Sequence, residues 1–111
     1  MRPEKIYHVC QIEDWREAQK QGDYSPPSVE TEGFIHFSRA EQVEKVVNTF
    51  YKDLPHLVLL HTEEDKIIPE LKWEESDGDI FPHVYGPLNL DAVVHIEVLL
   101  PGTSGLYSYP Q

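Results

Sequence analysis

The stretch Gly33-Phe-Ile-His-Phe-Ser-Arg-Ala-Glu-Gln-Val-Glu-Lys-Val-Val-Asn-Thr-Phe50 changes its period at Ser38. Ahead of that residue the chain alternates, placing Phe34, His36 and Ser38 on one face and Ile35 and Phe37 on the other, which is the pattern of a strand. Beyond it Val43, Val46, Val47 and Phe50 recur at i, i+3, i+4 and i+7, the spacing of a helix buried along one stripe. Ser38 marks the expected helix start. Ser38-Arg-Ala-Glu41 spells a capping box, in which the serine hydroxyl accepts a first-turn N–H and Glu41 reaches back to the cap.

Upstream, Lys5 to Cys10 reads as a strand with Ile6, His8 and Cys10 on one side and Tyr7 and Val9 on the other. Ile12, Trp15 and Ala18 then predict a short helix over Ile12 to Lys20, with Gly22 suited to its C-terminal cap. The consecutive prolines Pro26 and Pro27 forbid regular hydrogen bonding, so Tyr24 to Thr31 reads as a loop. Downstream, Leu57-Val-Leu-Leu-His61 is apolar on both faces, as in a central strand covered on each side. Leu71 to Glu75 is a shorter strand, followed by the turn Ser76-Asp-Gly-Asp79. Phe81 to Pro87 allows only a short extended piece, in which Pro82 must avoid a ladder hydrogen bond. Asp91 to Leu100 reads as a long closing strand, and a polar tail begins near Pro101. Helices come early and strands late. The expectation is an α+β fold: one compact domain over residues 1–111, with a mixed, mainly antiparallel sheet and two main helices early in the chain.

Nine Lys and Arg against 20 Asp and Glu give a formal charge of -11. Such a surface repels phosphate backbones and anionic headgroups, which argues against nucleic acid and membrane as partners and leaves a small-molecule ligand. No apolar run is long enough to span a bilayer, and Met1 to Lys5 has no signal-peptide layout. Cys10 is the only cysteine, so no internal disulfide forms; with no targeting segment, this predicts a cytoplasmic location.

Four segments set chemically able groups inside apolar strands: Tyr7-His8, His36-Phe-Ser38, Trp73-Glu74 and Pro82-His83-Val-Tyr85-Gly86. A buried imidazole or carboxylate without a partner costs several kcal/mol, roughly, so each must be paired or border a cleft. His8, His36, Ser38, Glu74 and His83 are the candidate catalytic residues, and Arg39, Trp73, Tyr85 and Gly86 the candidate ligand contacts. His8 also fits a satisfied core histidine, Ser38 a plain helix cap, Arg39 an exposed surface residue and Trp73 a core packer. A ligand beside His36 would meet the helix start, where an anionic or carbonyl group is favoured. His56, His61 and His95 read as surface positions. No metal is assigned, because the chain has no His-x-x-x-His, His-x-His or Cys-x-x-Cys spacing, and no Gly-x-Ser-x-Gly elbow accompanies Ser38.

The combination Tyr7-His8, Trp15, Tyr24, Gly33-Phe-Ile-His-Phe-Ser38, Gln42, Leu57-Val-Leu-Leu60, Trp73-Glu74 and Phe81-Pro-His-Val-Tyr-Gly-Pro-Leu88 resembles the small bacterial proteins called Domain of Unknown Function 952, from Ile6 to about Leu99. That resemblance implies distant kinship with the ADP-ribosyltransferase fold and, with it, NAD as the candidate cofactor. On this analogy His8 holds a ribose, Ser38 with His36 takes the second position and Glu74 the third, with Tyr85 or Trp73 stacking on nicotinamide. The sequence departs from the pattern in having no Glu-x-Glu or Gln-x-Glu around Glu74 and no counterpart for His83. The competing expectation is a noncatalytic binding or interaction module with structural histidines. Convergence of His8, His36 and His83 on one pocket separates the two.

Overall fold

A computed structural model describes residues 4–102 and 104–109; residues 1–3, Thr103 and residues 110–111 lie outside it, including most of the N-terminal segment considered above. β1 (Lys5–Gln11) leads straight into α1 (Ile12–Gln21), which Gly22 terminates in the left-handed conformation at φ 94°. β2 (Asp23–Tyr24) and the single-turn α2 (Ser28–Thr31) occupy what reads from sequence as an open loop. Pro27 is tolerated because it precedes α2, where its missing N–H has no helical partner to lose. β3 is only Ile35–His36. α3 (Ala40–Val46) follows, then β4 (Leu57–Glu63), β5 (Glu70–Ser76), β6 (Asp79–Tyr85), β7 (Leu88–Asn89) and β8 (Val93–Val98). The closing strand is shorter than Asp91–Leu100 because Leu90–Ala92 turns as a 3-10 helix.

All strand pairs among the described residues are antiparallel, and they divide into three sheets, ordered β1-β4-β8, β2-β7 and β3-β6-β5, instead of one mixed sheet. The first and third are stitched together at one point. Tyr7 N–H donates to Ser38 O at 2.8 Å and Ser38 N–H donates to Tyr7 O at 2.7 Å.

β4 is central, and both of its faces are covered as its sequence predicts. Val58 and Leu60, with Ile6 and Cys10 of β1, pack against Trp15 and Ala18 of α1 and against Ile35, Phe37 and Val84. Leu57 and Leu59, with Val9, pack against Val43 and Val47 on the other side. Leu99 and Tyr107 join that second core, so the segment expected to be a polar tail returns to the body. Tyr107 is fastened by the Asn48 amide, which donates to Tyr107 O and accepts from Tyr107 N–H, both at 2.8 Å.

Two sequence expectations shift around α3. The cap is Arg39 and not Ser38, and the reciprocal bond comes from Gln42, whose Oε1 accepts the Arg39 N–H at 2.8 Å. Gln42 outcompetes Glu41 because its Nε2 also reaches Asp79 Oδ2 at 2.9 Å and Ile80 O at 2.8 Å, tying the helix to the β5–β6 hairpin. Ser38 is instead committed to the bridge with Tyr7. Beyond α3, Val47–Tyr51 winds as a π-turn. Its extra residue per turn moves the buried stripe from Phe50 to Tyr51, leaving Phe50 62% exposed.

Candidate functional site

The third sheet carries the site on one of its faces. Asp77 and Gly78, with φ 52° and 80°, form the two-residue turn that joins β5 to β6. Both central residues at positive φ is the hairpin geometry that matches strand twist, and it fixes the register. Ser76 therefore opposes Asp79, Glu74 opposes Phe81 and Lys72 opposes His83. With side chains alternating, Phe81, His83 and Tyr85 share a face with Glu74, which lies diagonal to His83. β3 completes the face by setting His36 opposite His83.

His83 is buried at 4% exposure and packs face to face against the Phe34 ring, centroids 4.1 Å apart and planes at 23°. Its Nδ1 lies 2.9 Å from Glu74 Oε1, and the same oxygen accepts the Tyr85 hydroxyl at 2.5 Å. These two bonds, the tyrosine's first, hold the Glu74 carboxyl below its ordinary range. An ionised carboxylate only accepts, so Nδ1 carries the proton and, in the neutral ring, Nε2 carries the lone pair. Nε2 is buried without a hydrogen-bond partner among the described residues.

His83 borders a cavity of about 460 Å³ between the π-turn and the β5–β6 hairpin. Phe37, Val46, Phe50, Tyr51 and Phe81 supply its apolar walls, His36, Ser38 and Ser76 further polar groups, and Glu32 and Asp77 carboxylates. No Lys or Arg is among these lining residues. A larger and shallower depression of about 840 Å³ lies near Lys5, Tyr7, Arg39 and Trp73. Its only buried polar atom without a hydrogen bond, Arg39 Nε, already sits 3.9 Å from the Glu41 carboxylate. The His83 cavity is the better candidate, because of the two it alone is lined by a residue with a buried acceptor still lacking a donor; Thr62 Oγ1, also buried without a partner among the described residues, belongs to a residue that lines neither.

The predicted residues divide accordingly. His36, half exposed, donates from Nε2 to Glu32 Oε2 at 3.1 Å, and its ring lies 5.3 Å from that of His83. Ser38 lines the same cavity without bonding His83 Nε2. Glu74 and Tyr85 stand behind His83 as its support. His8 is a correction. Its Nδ1 donates to His36 O and its Nε2 accepts the Tyr24 hydroxyl at 2.7 Å, so neither nitrogen is left for a ribose. Burial holds it neutral, with its pKa down to about 4. His8 braces the strand bearing His36 and does not line the cavity.

Trp73 is also turned away, since neighbours in a strand point to opposite faces; it cannot stack on a ligand held by Glu74. Arg39 lines the shallow depression with Trp73 and not the His83 cavity, and its guanidinium is engaged by Asp79 at 3.2 Å. Gly86 answers a backbone need: at φ 139° a Cβ would come within 3.3 Å of Pro69 Cβ. The Arg39 N–H at the start of α3 is taken by Gln42, so the ligand expected at the helix start loses that donor. His61, expected at the surface, is mostly covered and bonds Glu97 at 2.9 Å, whereas His56 and His95 are exposed. Glu32, Phe34, Phe50, Tyr51, Asp77 and Phe81 complete the site without having been singled out from sequence. The Asp77-Gly78 turn is the signal that finds Phe81 and the Glu74–His83 diagonal, because a two-residue hairpin dictates which residues face each other.

Fold and site together define a small α+β domain with a carboxylate-oriented histidine at the edge of an apolar cavity. The chain belongs to the family described as Protein of unknown function (DUF952), whose model matches residues 9–96 and so takes in every residue of the His83 site. The crystal structure of protein CC0527 from Caulobacter crescentus is 31% identical with a TM-score of 0.85, covering 94% of this chain and 93% of that one. The solution NMR structure of CC0527 is 32% identical over 92% of this chain and 90% of that one, with a TM-score of 0.77. No curated protein matches the chain. No helix among the described residues is long and apolar enough to cross a membrane.

Proposed function

We propose that the chain binds a small molecule in the His83 cavity and that His83, oriented by Glu74, acts there as a general base. The observation that carries this is that His83, whose Nε2 is buried and unpartnered among the described residues, lines a cavity of ligand size. Left empty-handed, such an atom costs roughly 1–3 kcal/mol, a cost that a ligand or water hydroxyl or N–H would offset. Glu74 supports the role in the way a carboxylate supports a catalytic imidazole, by fixing the tautomer and stabilising the charge that proton uptake creates. His36 and Ser38 offer further hydrogen bonds at the same wall.

The lining tells against the anionic form of ligand. Two carboxylates and no Lys or Arg leave a phosphate or pyrophosphate without a countercharge, and His8 is not free to grip a ribose. A neutral or cationic compound fits better than NAD. A reducing cytoplasm suits Cys10, which is buried with its thiol pushed up to about 12, first by burial.

Hydrolysis of p-nitrophenyl acetate, a small neutral ester, tests for a reactive imidazole in an apolar cavity. The expected result is a rate that His83→Gln lowers at least about tenfold while its melting temperature shows it folded. An unchanged rate in His83→Gln removes the base, and ADP-ribose protecting the fold at millimolar concentration would restore the anionic alternative.

A further inference from the structure

The cavity is selective for charge as well as size. Its apolar part is largely aromatic, with Phe50 and Tyr51 from the π-turn, Phe81 from the hairpin and Phe37 beside them in the lining. Glu32 and Asp77 supply carboxylates, and His83 Nε2 is an acceptor in need of a donor. We infer that the ligand of this cavity is an organic ammonium with a short apolar body, its N–H directed to His83 Nε2 and its charge facing Glu32 and Asp77. This rests on the small-molecule reading above and names the chemical class.

Three independent features converge on that class. An acceptor without a donor is satisfied by N–H or O–H and left unsatisfied by a carboxylate or ether. Aromatic faces attract cations through their quadrupole, most strongly where water is excluded. Glu32 and Asp77, both solvent-exposed, set a negative potential beside the cavity that draws cations and disfavours anions. The adjoining depression continues the pattern: beyond Phe50 and Phe81 it holds one cation, Lys45, against the acids Glu41 and Asp79. His36, also at the wall, is occupied by Glu32 at 3.1 Å, and burial raises the pKa of the Tyr51 hydroxyl, which keeps it neutral.

Three compounds of one size and different charge test the inference: benzylamine, benzyl alcohol and benzoate, each titrated into the full chain and followed by amide shifts in NMR. Benzylamine is expected to perturb the amides of the cavity wall and to bind at least about tenfold more tightly than benzoate. Asp77→Asn, which keeps a residue tolerant of the left-handed conformation, combined with Glu32→Gln, should reduce that preference several-fold. Benzyl alcohol binding as tightly as benzylamine, or benzoate binding more tightly, overturns the ammonium assignment but leaves a ligand-binding cavity at His83. If none of the three perturbs these amides, the small-molecule reading falls as well.

Discussion

Glu74 and His83 are bonded across a diagonal: two residues out of register on neighbouring strands, they meet at 2.9 Å because the hairpin turn leaves no other pairing. The same carboxylate oxygen takes the Tyr85 hydroxyl, whose pKa is raised chiefly by this bond, so the phenol stays a donor. A chain of Tyr85, Glu74 and His83 thus points one imidazole lone pair in a single direction. His83 itself lines the cavity.

Glu74→Gln should keep the fold and weaken the base. The amide retains an acceptor for Nδ1–H but not the charge that stabilises a protonated ring, so ester hydrolysis should fall about ten- to a hundredfold. Nitrogen chemical shifts of His83 should show the Nε2-protonated tautomer gaining population. Tyr85→Phe removes only one of the two bonds on the carboxylate, and a smaller loss is expected. A Glu74→Gln rate within twofold of the parent would show that orientation by the carboxylate contributes nothing.

Period-two and helical spacing carry the fold a long way in this chain. The faces of β1, the extent of α1 and its glycine cap, and the central place of β4 follow from Ile6, His8 and Cys10, from Trp15, Ala18 and Gly22, and from Leu57 to Leu60 alone. What local spacing cannot reveal is set by distant partners. Tyr7 takes Ser38 away from the cap, the hairpin recruits Gln42, and the π-turn transfers the inward position from Phe50 to Tyr51. The histidines illustrate the same limit. His8 and His36 look equivalent in sequence, yet Tyr24 closes one while strand pairing brings the other to His83.

Gln42→Ala should loosen the hairpin from α3. Its side chain makes three hydrogen bonds, to the Arg39 N–H, to Asp79 and to the Ile80 carbonyl. Losing them leaves part-buried backbone groups unpaired at about 1–3 kcal/mol. Urea denaturation should register that loss, and amide exchange around Gly78 to Phe81 should accelerate more than exchange in β4. Uniform acceleration across both would mean that Gln42 stabilises the whole fold and does not tether the hairpin.

Gly86→Ala tests a different claim, that the glycine is required by the backbone. At φ 139° with Pro69 Cβ 3.3 Å from any added Cβ, alanine is strained both by conformation and by contact. A loss of roughly 1–3 kcal/mol is expected, with cavity binding of benzylamine kept in the folded fraction. Full stability in the variant would return Gly86 to the list of ligand contacts.

His8 should make stability depend on pH in a definite window. Folded, its pKa is down to about 4, chiefly because burial penalises the charged ring; unfolded, it returns to 6.5. Above pH 6.5 both states hold it neutral and no difference arises. As pH falls below 6.5 the unfolded chain takes up a proton that the folded chain refuses, so stability is lost between pH 6.5 and 4, by about 3 kcal/mol in all. His8→Gln keeps a donor for the His36 carbonyl and an acceptor for the Tyr24 hydroxyl but cannot titrate. Urea denaturation of both proteins at pH 7.5, 5.5 and 4.5 should therefore show a steeper decline in the parent, the carboxylates common to both cancelling in the comparison. Parallel declines would mean that the ring is charged inside the fold, and since a doubly protonated imidazole cannot accept the tyrosine hydroxyl, the bond to Tyr24 would have to run the other way.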